Sequence, residues 1–282
     1  MRFRPQLRGT CLRKHNRAVP LPWRPPFPPA AMADDTILET RGLTKEFKGF
    51  VAVRDVSLSV RRGTIHALIG PNGAGKTTCF NLLTHFLVPT RGQIFFKGRE
   101  ITGSRPATIA RMGLVRSFQI SAVFPHLTVL ENVRIALQRA RGHSFDFWRS
   151  EKALTSLDGR ALELIDWVGL TEFARKTAVE LPYGRKRALE IATTLALDPE
   201  MMLLDEPTAG MTHEDVERIS ALIRRVSANR TVLMVEHNLL VVSTLSDHIT
   251  VLARGEILAQ GDYATVSKNP DVVQAYLGAG HV

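Results

Sequence analysis

Apolar positions fall along this chain in two periods. Over Val51 to Val60, Ile65 to Ile69, Gln93 to Phe96, Met201 to Leu204, Thr231 to Val235 and His248 to Leu252 they alternate or run solid, which predicts strands; several of these runs lead into segments with a period near 3.6, which predict helices. Thr64 to Ile69 and Met201 to Leu204 run nearly solid, the pattern of central parallel strands buried on both faces. Between about Ser121 and Glu180 the strand signal vanishes, and Val129 to Ala140, Ala153 to Val168 and Thr171 to Ala178 carry helical periodicity. The expectation is an α/β domain over residues 37–278 with a helical subdomain inserted at about 121–180.

Composition sharpens this picture at the ends. An apolar content of 44% in 282 residues supports a buried core and excludes a fibrous or wholly disordered chain. The formal net charge of +10 is localised: Arg2, Arg4, Arg8, Arg13, Lys14, Arg17 and Arg24 lie in residues 1–31 with no Asp or Glu, so the remainder is nearly neutral and a nucleic-acid reading loses its electrostatic support. Pro20, Pro22, Pro25, Pro26, Pro28 and Pro29 deprive the same segment of backbone donors. Residues 1–31 are therefore expected to be a disordered, basic, proline-rich extension: either a genuine tail or a stretch preceding a native start at Met32. Cys11 and Cys79 form neither a disulfide framework nor a metal-ligand spacing, which fits a reducing cytoplasm. The richest apolar segment, Thr231 to Leu245, is broken by Glu236, His237 and Asn238, short of the roughly 18 to 20 apolar residues that a spanning helix needs. If the chain serves a membrane process, other subunits must supply the span.

The candidate chemistry begins at Gly70-Pro71-Asn72-Gly73-Ala74-Gly75-Lys76-Thr77-Thr78, which meets G-x-x-x-x-G-K-[ST] directly after a buried strand and before the helical segment Cys79 to Phe86. Glycines let the loop wrap its backbone N–H groups around phosphate oxygens, and the following helix N-terminus adds positive potential. Lys76 is expected to neutralise β- and γ-phosphates and the Thr77 hydroxyl to ligate Mg²⁺. Cys79 reads as a packed small hydrophobe.

Met201 to Leu204 ends in Asp205-Glu206. Alone, two acids after a strand mean only a polar loop. With a phosphate loop upstream, an acid at the carboxyl end of a neighbouring strand stands where the Mg²⁺ partner of Thr77 belongs, and the acid beside it can polarise an attacking water. Asp205 is then the metal-side residue and Glu206 the general base.

The order of the Lys76 loop, Gln119 after Val115-Arg116-Ser117-Phe118, Leu181-Pro182-Tyr183-Gly184-Arg185, Asp205-Glu206-Pro207-Thr208 and His237 after Val235-Glu236 resembles the nucleotide-binding subunits of ABC transporters, from about Ile37 to Gly278. That resemblance implies a P-loop ATPase core of α/β class with a mainly parallel sheet, an antiparallel β subdomain and an inserted helical subdomain. It implies ATP and Mg²⁺ as cofactors, Gln119 on the metal or the lytic water and coupled to the membrane subunit, and His237 at the γ-phosphate. Phe47 would stack on adenine, or else is core. Pro182, Tyr183, Gly184 and Arg185 stand at the signature that completes the nucleotide site of a second ATPase subunit in a head-to-tail dimer. There the chain departs from L-S-G-G-Q: Pro182 removes a hydroxyl and a backbone donor, a loss of roughly 1.5 to 3 kcal/mol at the composite site unless Arg185 compensates.

Phe124-Pro125-His126-Leu127-Thr128-Val129-Leu130-Glu131-Asn132-Val133, Pro207-Thr208-Ala209-Gly210-Met211 and the ending from Gly261-Asp262-Tyr263 to Tyr276-Leu277-Gly278 resemble the ATP-binding subunits of bacterial branched-chain amino-acid importers. This implies a peripheral protein at the cytoplasmic face of the inner membrane, a homo- or heterodimeric ATPase partner, two permease subunits and, indirectly, a periplasmic solute-binding protein, with no nucleic acid. An ABC ATPase acting on nucleic acid or ribosomes is disfavoured by the single phosphate loop, and a P-loop kinase or GTPase would leave Leu181 to Arg185 unexplained. His143, Phe145, Phe147 and Trp148 read as a surface loop of the helical subdomain, or else as part of the permease contact. Solvation is expected for Lys186 and Arg187 but not for Arg185, and Arg224 and Arg225 suit the negative end of a helix.

Overall fold

The computed structural model of the chain describes residues 35–117, 123–140 and 157–277. The expected extension at 1–31, Gln119 and the aromatic stretch at 143–148 lie outside the described residues.

The strands are β1 (Thr36–Phe47), β2 (Phe50–Val56), β3 (Ser59–Arg61), β4 (Ile65–Ile69), β5 (Arg91–Phe96), β6 (Arg99–Glu100), β7 (Leu114–Ser117), β8 (Met201–Asp205), β9 (Thr231–Val235), β10 (His248–Ala253) and β11 (Glu256–Gly261). The described α-helices are α1 (Lys76–Leu83), α2 (Pro106–Arg111), α3 (Val129–Ala140), α4 (Asp158–Trp167), α5 (Tyr183–Leu195), α6 (His213–Ser227), α7 (Leu239–Leu245), α8 (Tyr263–Val266) and α9 (Pro270–Leu277). One sheet, antiparallel throughout, runs β2-β1-β5-β6 with β3 also on β1. The second runs β11-β10-β4-β9-β8-β7, parallel except where β11 joins β10.

The solid apolar runs are explained by what covers them. Met202 and Leu204 of β8, with Val232 and Met234 of β9, face a core shared with α3 to α7; Met201, Leu203, Leu233 and Val235 face a second core shared with β1, β2, β5 and α1. Alternate residues of one strand thus enter different cores, and both faces must be apolar. Each side chain so buried contributes about 1.5–3 kcal/mol.

Three local expectations are corrected. Val51 to Val60 is two strands rather than one, because β2 and β3 pair with different parts of β1. Thr171 to Ala178 is not an α-helix: two 3-10 turns, Thr171–Phe173 and Ala178–Glu180, flank an extended Thr177 that bridges Thr128. The helix expected from Cys79 starts earlier, at Lys76, since the left-handed Gly75 ends the loop.

The Phe124 to Val133 motif has a physical reading. Glu131 and Thr128 form a reciprocal cap, the Thr128 N–H donating to Glu131 Oε2 at 2.7 Å and the Glu131 N–H to Thr128 Oγ1 at 3.2 Å. Buried Asn132 accepts from the Phe124 N–H at 2.7 Å and donates to the Thr128 carbonyl at 2.9 Å, so one amide clasps the turn that enters α3. Arg134 pairs with Asp158 and joins α3 to α4. No described helix is long and apolar enough to cross a membrane.

Candidate functional site

Strand order assembles the site. β4, β9 and β8 are consecutive and parallel, so the chain segments leaving their carboxyl ends emerge on one edge of the sheet. These segments are Gly70 to Gly75 after β4, Glu236 to Asn238 after β9, and Glu206 onward after β8. The expectation that Asp205 ends the strand beside β4 is corrected: β9 lies between them, which inserts the His237 loop between the lysine loop and the acids.

The lysine loop is tightly packed from behind. Gly70 has φ +150°, and a Cβ there would stand 2.1 Å from the Leu252 carbonyl oxygen. At Gly75 (φ +100°) a Cβ would meet the Ala52 carbonyl oxygen at 2.6 Å. These glycines are required by sterics on the side opposite the open face, where Asn72, Gly73 and Thr77 are exposed. The Lys76 ammonium curls onto its own loop, donating to the Gly70 and Pro71 carbonyls at 2.7 and 2.9 Å. Burial holds its pKa below the usual lysine range, against the opposing pull of the Glu206 and Asp205 charges. Thr78 is half-buried, Ala74 is buried, and the Ala74 carbonyl accepts from the Gly255 N–H at 3.0 Å. Cys79 is fully buried and its thiol is pushed up to about 12, as suits a packing residue.

Glu206 and His237 meet directly. His237 Nε2 lies 2.8 Å from Glu206 Oε1; because an ionised carboxylate only accepts, Nε2 carries the hydrogen. Glu206 is a non-glycine residue at φ +44°, a conformation that costs about 1–3 kcal/mol and is held by its N–H on the Val235 carbonyl at 2.9 Å. The strand therefore ends abruptly after Asp205, and Glu206 turns towards the β9 loop.

Buried Asp205 is bound by a residue that periodicity did not single out. Arg116 of β7 donates to Asp205 Oδ2 at 2.5 Å and to Asn81 Oδ1 of α1 at 2.6 Å. Arg187 of α5 donates to the Asp205 carbonyl at 2.7 Å and to Glu190 Oε2 at 2.6 Å. The expected solvation of Arg187 is thus wrong, because α5 presents it to the end of β8. Glu190, three residues on along α5, was the local signal for a paired Arg187; the Asp205 carbonyl, remote in sequence, was not legible.

The remaining candidates are more scattered. Phe47, at the end of β1, is 41% exposed with the Lys45 ammonium 5.0 Å from its ring centroid, so it is not a core residue. Pro182 caps α5 without a side-chain hydrogen bond, Tyr183 is 60% exposed, and Gly184 packs on the Asp215 carboxylate. Arg185 is tied to the Gly169 carbonyl at 3.0 Å and lies 5.3 Å from the Phe173 centroid. Among the described residues no hydrogen bond or ion pair links Pro182 to Arg185 with the lysine loop. Gln119 follows β7 outside the described residues. Among the described residues no group of three His, Cys, Asp or Glu side chains forms a metal cluster.

Comparison with known proteins accounts for this arrangement. The ABC transporter family model matches residues 53–209, and that of the branched-chain amino acid ATP-binding cassette transporters matches residues 256–282. The high-affinity branched-chain amino acid transport ATP-binding protein BraF of Pseudomonas aeruginosa is 42% identical over 252 residues, covering 86% of this chain and 98% of the relative. The ADP conformation of MJ1267, an ATP-binding cassette of an ABC transporter, superposes with a TM-score of 0.75 at 29% identity over 86% of this chain and 99% of that one. A dimeric post-hydrolysis cassette, MJ0796 bound to ADP and Pi, gives a TM-score of 0.68 at 25% identity over 80% of this chain and 98% of that one. The chain belongs to the ABC transporter family and is one of its ATP-binding, ATP-hydrolysing cassettes.

Proposed function

We propose that the chain energises uptake of branched-chain or related amino acids through separate permease subunits, as the name of its relative and the match over residues 256–282 support. The observation that carries the ATPase reading is the convergence of the lysine loop, Asp205, Glu206 and His237 on the carboxyl edge of β4, β9 and β8.

On binding ATP, Lys76 exchanges the Gly70 and Pro71 carbonyls for the β- and γ-phosphates, while the N–H groups of Gly73 to Thr78 cradle the phosphate oxygens. Phe47 offers its exposed ring to adenine. Glu206 accepts the proton of the attacking water, and His237, now on Glu206, swings to the γ-phosphate. The hydroxyl and carboxylate oxygens of Thr77 and Asp205, with Gln119, are hard donors that suit Mg²⁺ and would hold it. Held there, Mg²⁺ would supply charge neutralisation to the phosphates.

In this reading a second ATPase subunit, identical or related, docks head to tail and presents Pro182, Tyr183, Gly184 and Arg185 at the start of α5 to the nucleotide. Residues 37–278 form the ATPase domain, with the helical subdomain inside 121–180. The permease contact is a cavity of about 560 Å³ that includes Phe86, Ala107, Arg116, Phe124, Ile135 and Thr193, a largely apolar recess that also takes in Ser117 at the end of β7. That contact holds the protein at the cytoplasmic face of the inner membrane, across from a periplasmic solute-binding protein.

The test is ATP hydrolysis and leucine, isoleucine or valine uptake by the assembled transporter. Lys76→Ala abolishes both through lost nucleotide affinity, and Glu206→Gln abolishes both with affinity retained. Parental hydrolysis by either variant overturns the catalytic reading; solute-independent hydrolysis with no uptake of any of the three amino acids overturns the substrate.

A further inference from the structure

Glu236 is a carboxylate with almost no access to water, at 2% exposure, lying between two loops of the site. Its Oε1 accepts from the Thr208 N–H at 2.9 Å and from the Thr208 hydroxyl at 2.7 Å. Its Oε2 accepts from the N–H groups of His237 at 3.1 Å and Asn238 at 3.4 Å. Thr208 lies two residues after Glu206, and His237 is the residue whose ring holds Glu206. One carboxylate therefore spans the chain after β8 and the chain after β9. Only an acceptor-only group satisfies donors at both ends. Removal of such a group from the interior leaves those donors unpaired, so the site depends on a carboxylate rather than on a side chain of similar shape.

We propose that Glu236 is a positioning residue for hydrolysis, fixing the spacing of the Glu206 and His237 segments without touching nucleotide. The inference rests on the reading of Glu206 and His237 as the hydrolytic pair. It gives the pair a mechanical basis: Glu206 sits in a left-handed backbone conformation, and a loop in that state keeps its direction only if both of its sides are anchored. The Val235 carbonyl anchors Glu206 at its N–H, and Glu236 anchors the following turn through Thr208. The lysine loop makes none of these bonds, so nucleotide affinity and hydrolysis should separate on mutation.

The experiment measures kcat, KM and nucleotide affinity for the full chain in the assembled transporter. Glu236→Gln keeps an acceptor for one loop but turns an amide donor on the other; Thr208→Val deletes the hydroxyl link with little change of shape; Thr208→Ser preserves that link. We expect Glu236→Gln to lower kcat by about ten- to a hundredfold with KM and affinity within about twofold of the parent, since small misplacements of catalytic groups cost that much. Thr208→Val should lower kcat in the same selective way, Thr208→Ser should restore it, and the Glu236→Gln/Thr208→Val double variant should fall no further than Glu236→Gln alone. Parental kcat in both Glu236→Gln and Thr208→Val overturns the proposal, as does a parallel loss of kcat, affinity and thermal stability that Thr208→Ser fails to rescue. Glu206→Gln run alongside separates the two readings. If it is inactive while Glu236→Gln is parental, only the role of Glu236 fails; if Glu206→Gln itself is parental, the hydrolytic pair fails and the proposal with it.

Discussion

Arg116 and Asp205, far apart in sequence, form a buried ion pair at 2.5 Å, and the same guanidinium reaches Asn81 of α1. The pair joins three elements, α1 behind the lysine loop, β7 leading to Gln119, and β8 ending in the acids. Geometry on both sides of a planar fork is what arginine supplies and lysine does not.

Removing Arg116 leaves the Asp205 carboxylate buried without its counter-charge. Arg116→Met is expected to destabilise the chain by about 3–5 kcal/mol in denaturant unfolding. Arg116→Lys recovers only part of this, because one ammonium cannot hold Asn81 and Asp205 in the same geometry. An unfolding midpoint equal to the parent for Arg116→Met would show the pair to be dispensable.

A Cβ on Gly184 would stand 2.4 Å from Asp215 Cγ, and Asp215 is itself fixed by Arg218 at 2.5 Å. Gly184→Ala is expected to destabilise the chain by about 1–3 kcal/mol, through overpacking. In an Asp215→Ala background the sign reverses: alanine gains up to about 1 kcal/mol of helix propensity over glycine. A double-mutant cycle with zero coupling would refute the clash.

Pro182 stands at the cap of α5 with φ −56° and ψ 155°, backbone angles in the extended region that a serine cap also uses. Pro182→Ser restores a hydroxyl and an N–H to the composite site. ATP-driven dimerisation should tighten by about tenfold or more, the effect of one hydrogen bond to a charged group, and thermal stability should rise by about 1 kcal/mol from the new cap. Sedimentation of the Glu206→Gln background with and without Pro182→Ser reads the first effect; no change in association would mean that the cap does not face the partner's nucleotide.

His66 on β4 is buried among strands, its Nε2 2.8 Å from the Thr250 hydroxyl and its ring 4.9 Å from that of His248. Burial, aided by His248, pushes its pKa from 6.5 down to about 3. The folded value lies below the unfolded one, so the neutral ring contributes stability that is complete above pH 6.5 and is lost as pH falls towards 3. The loss between pH 7 and pH 5 is about 2 kcal/mol from this group. Glu39, Glu131, Glu180 and Asp262, whose pKa values are lowered by their hydrogen bonds, add their losses only below about pH 4.5. His66→Gln should flatten the decline of stability between pH 7 and pH 5; an unchanged slope assigns that decline to other groups.

Local patterning was enough wherever the chemistry is contiguous. The nine residues from Gly70 to Thr78 contain their own glycines, lysine and hydroxyls, and a solid apolar run ending in Asp205-Glu206 announces a buried strand that delivers two acids at its carboxyl end. Burial on both faces follows from consecutive apolar residues, because a strand sends alternate side chains to opposite sides. What only the tertiary structure decided is every relation that depends on strand order or on a distant partner. β9 lies between β4 and β8, so Glu236 joins Thr208 and His237 reaches Glu206; Arg116 finds Asp205, Arg187 finds its carbonyl, and Gly184 meets Asp215. Periodicity records which face of an element is buried but not which element buries it. The partner of a buried charge is set by long-range packing, where a single polar residue in an apolar run leaves no periodic trace.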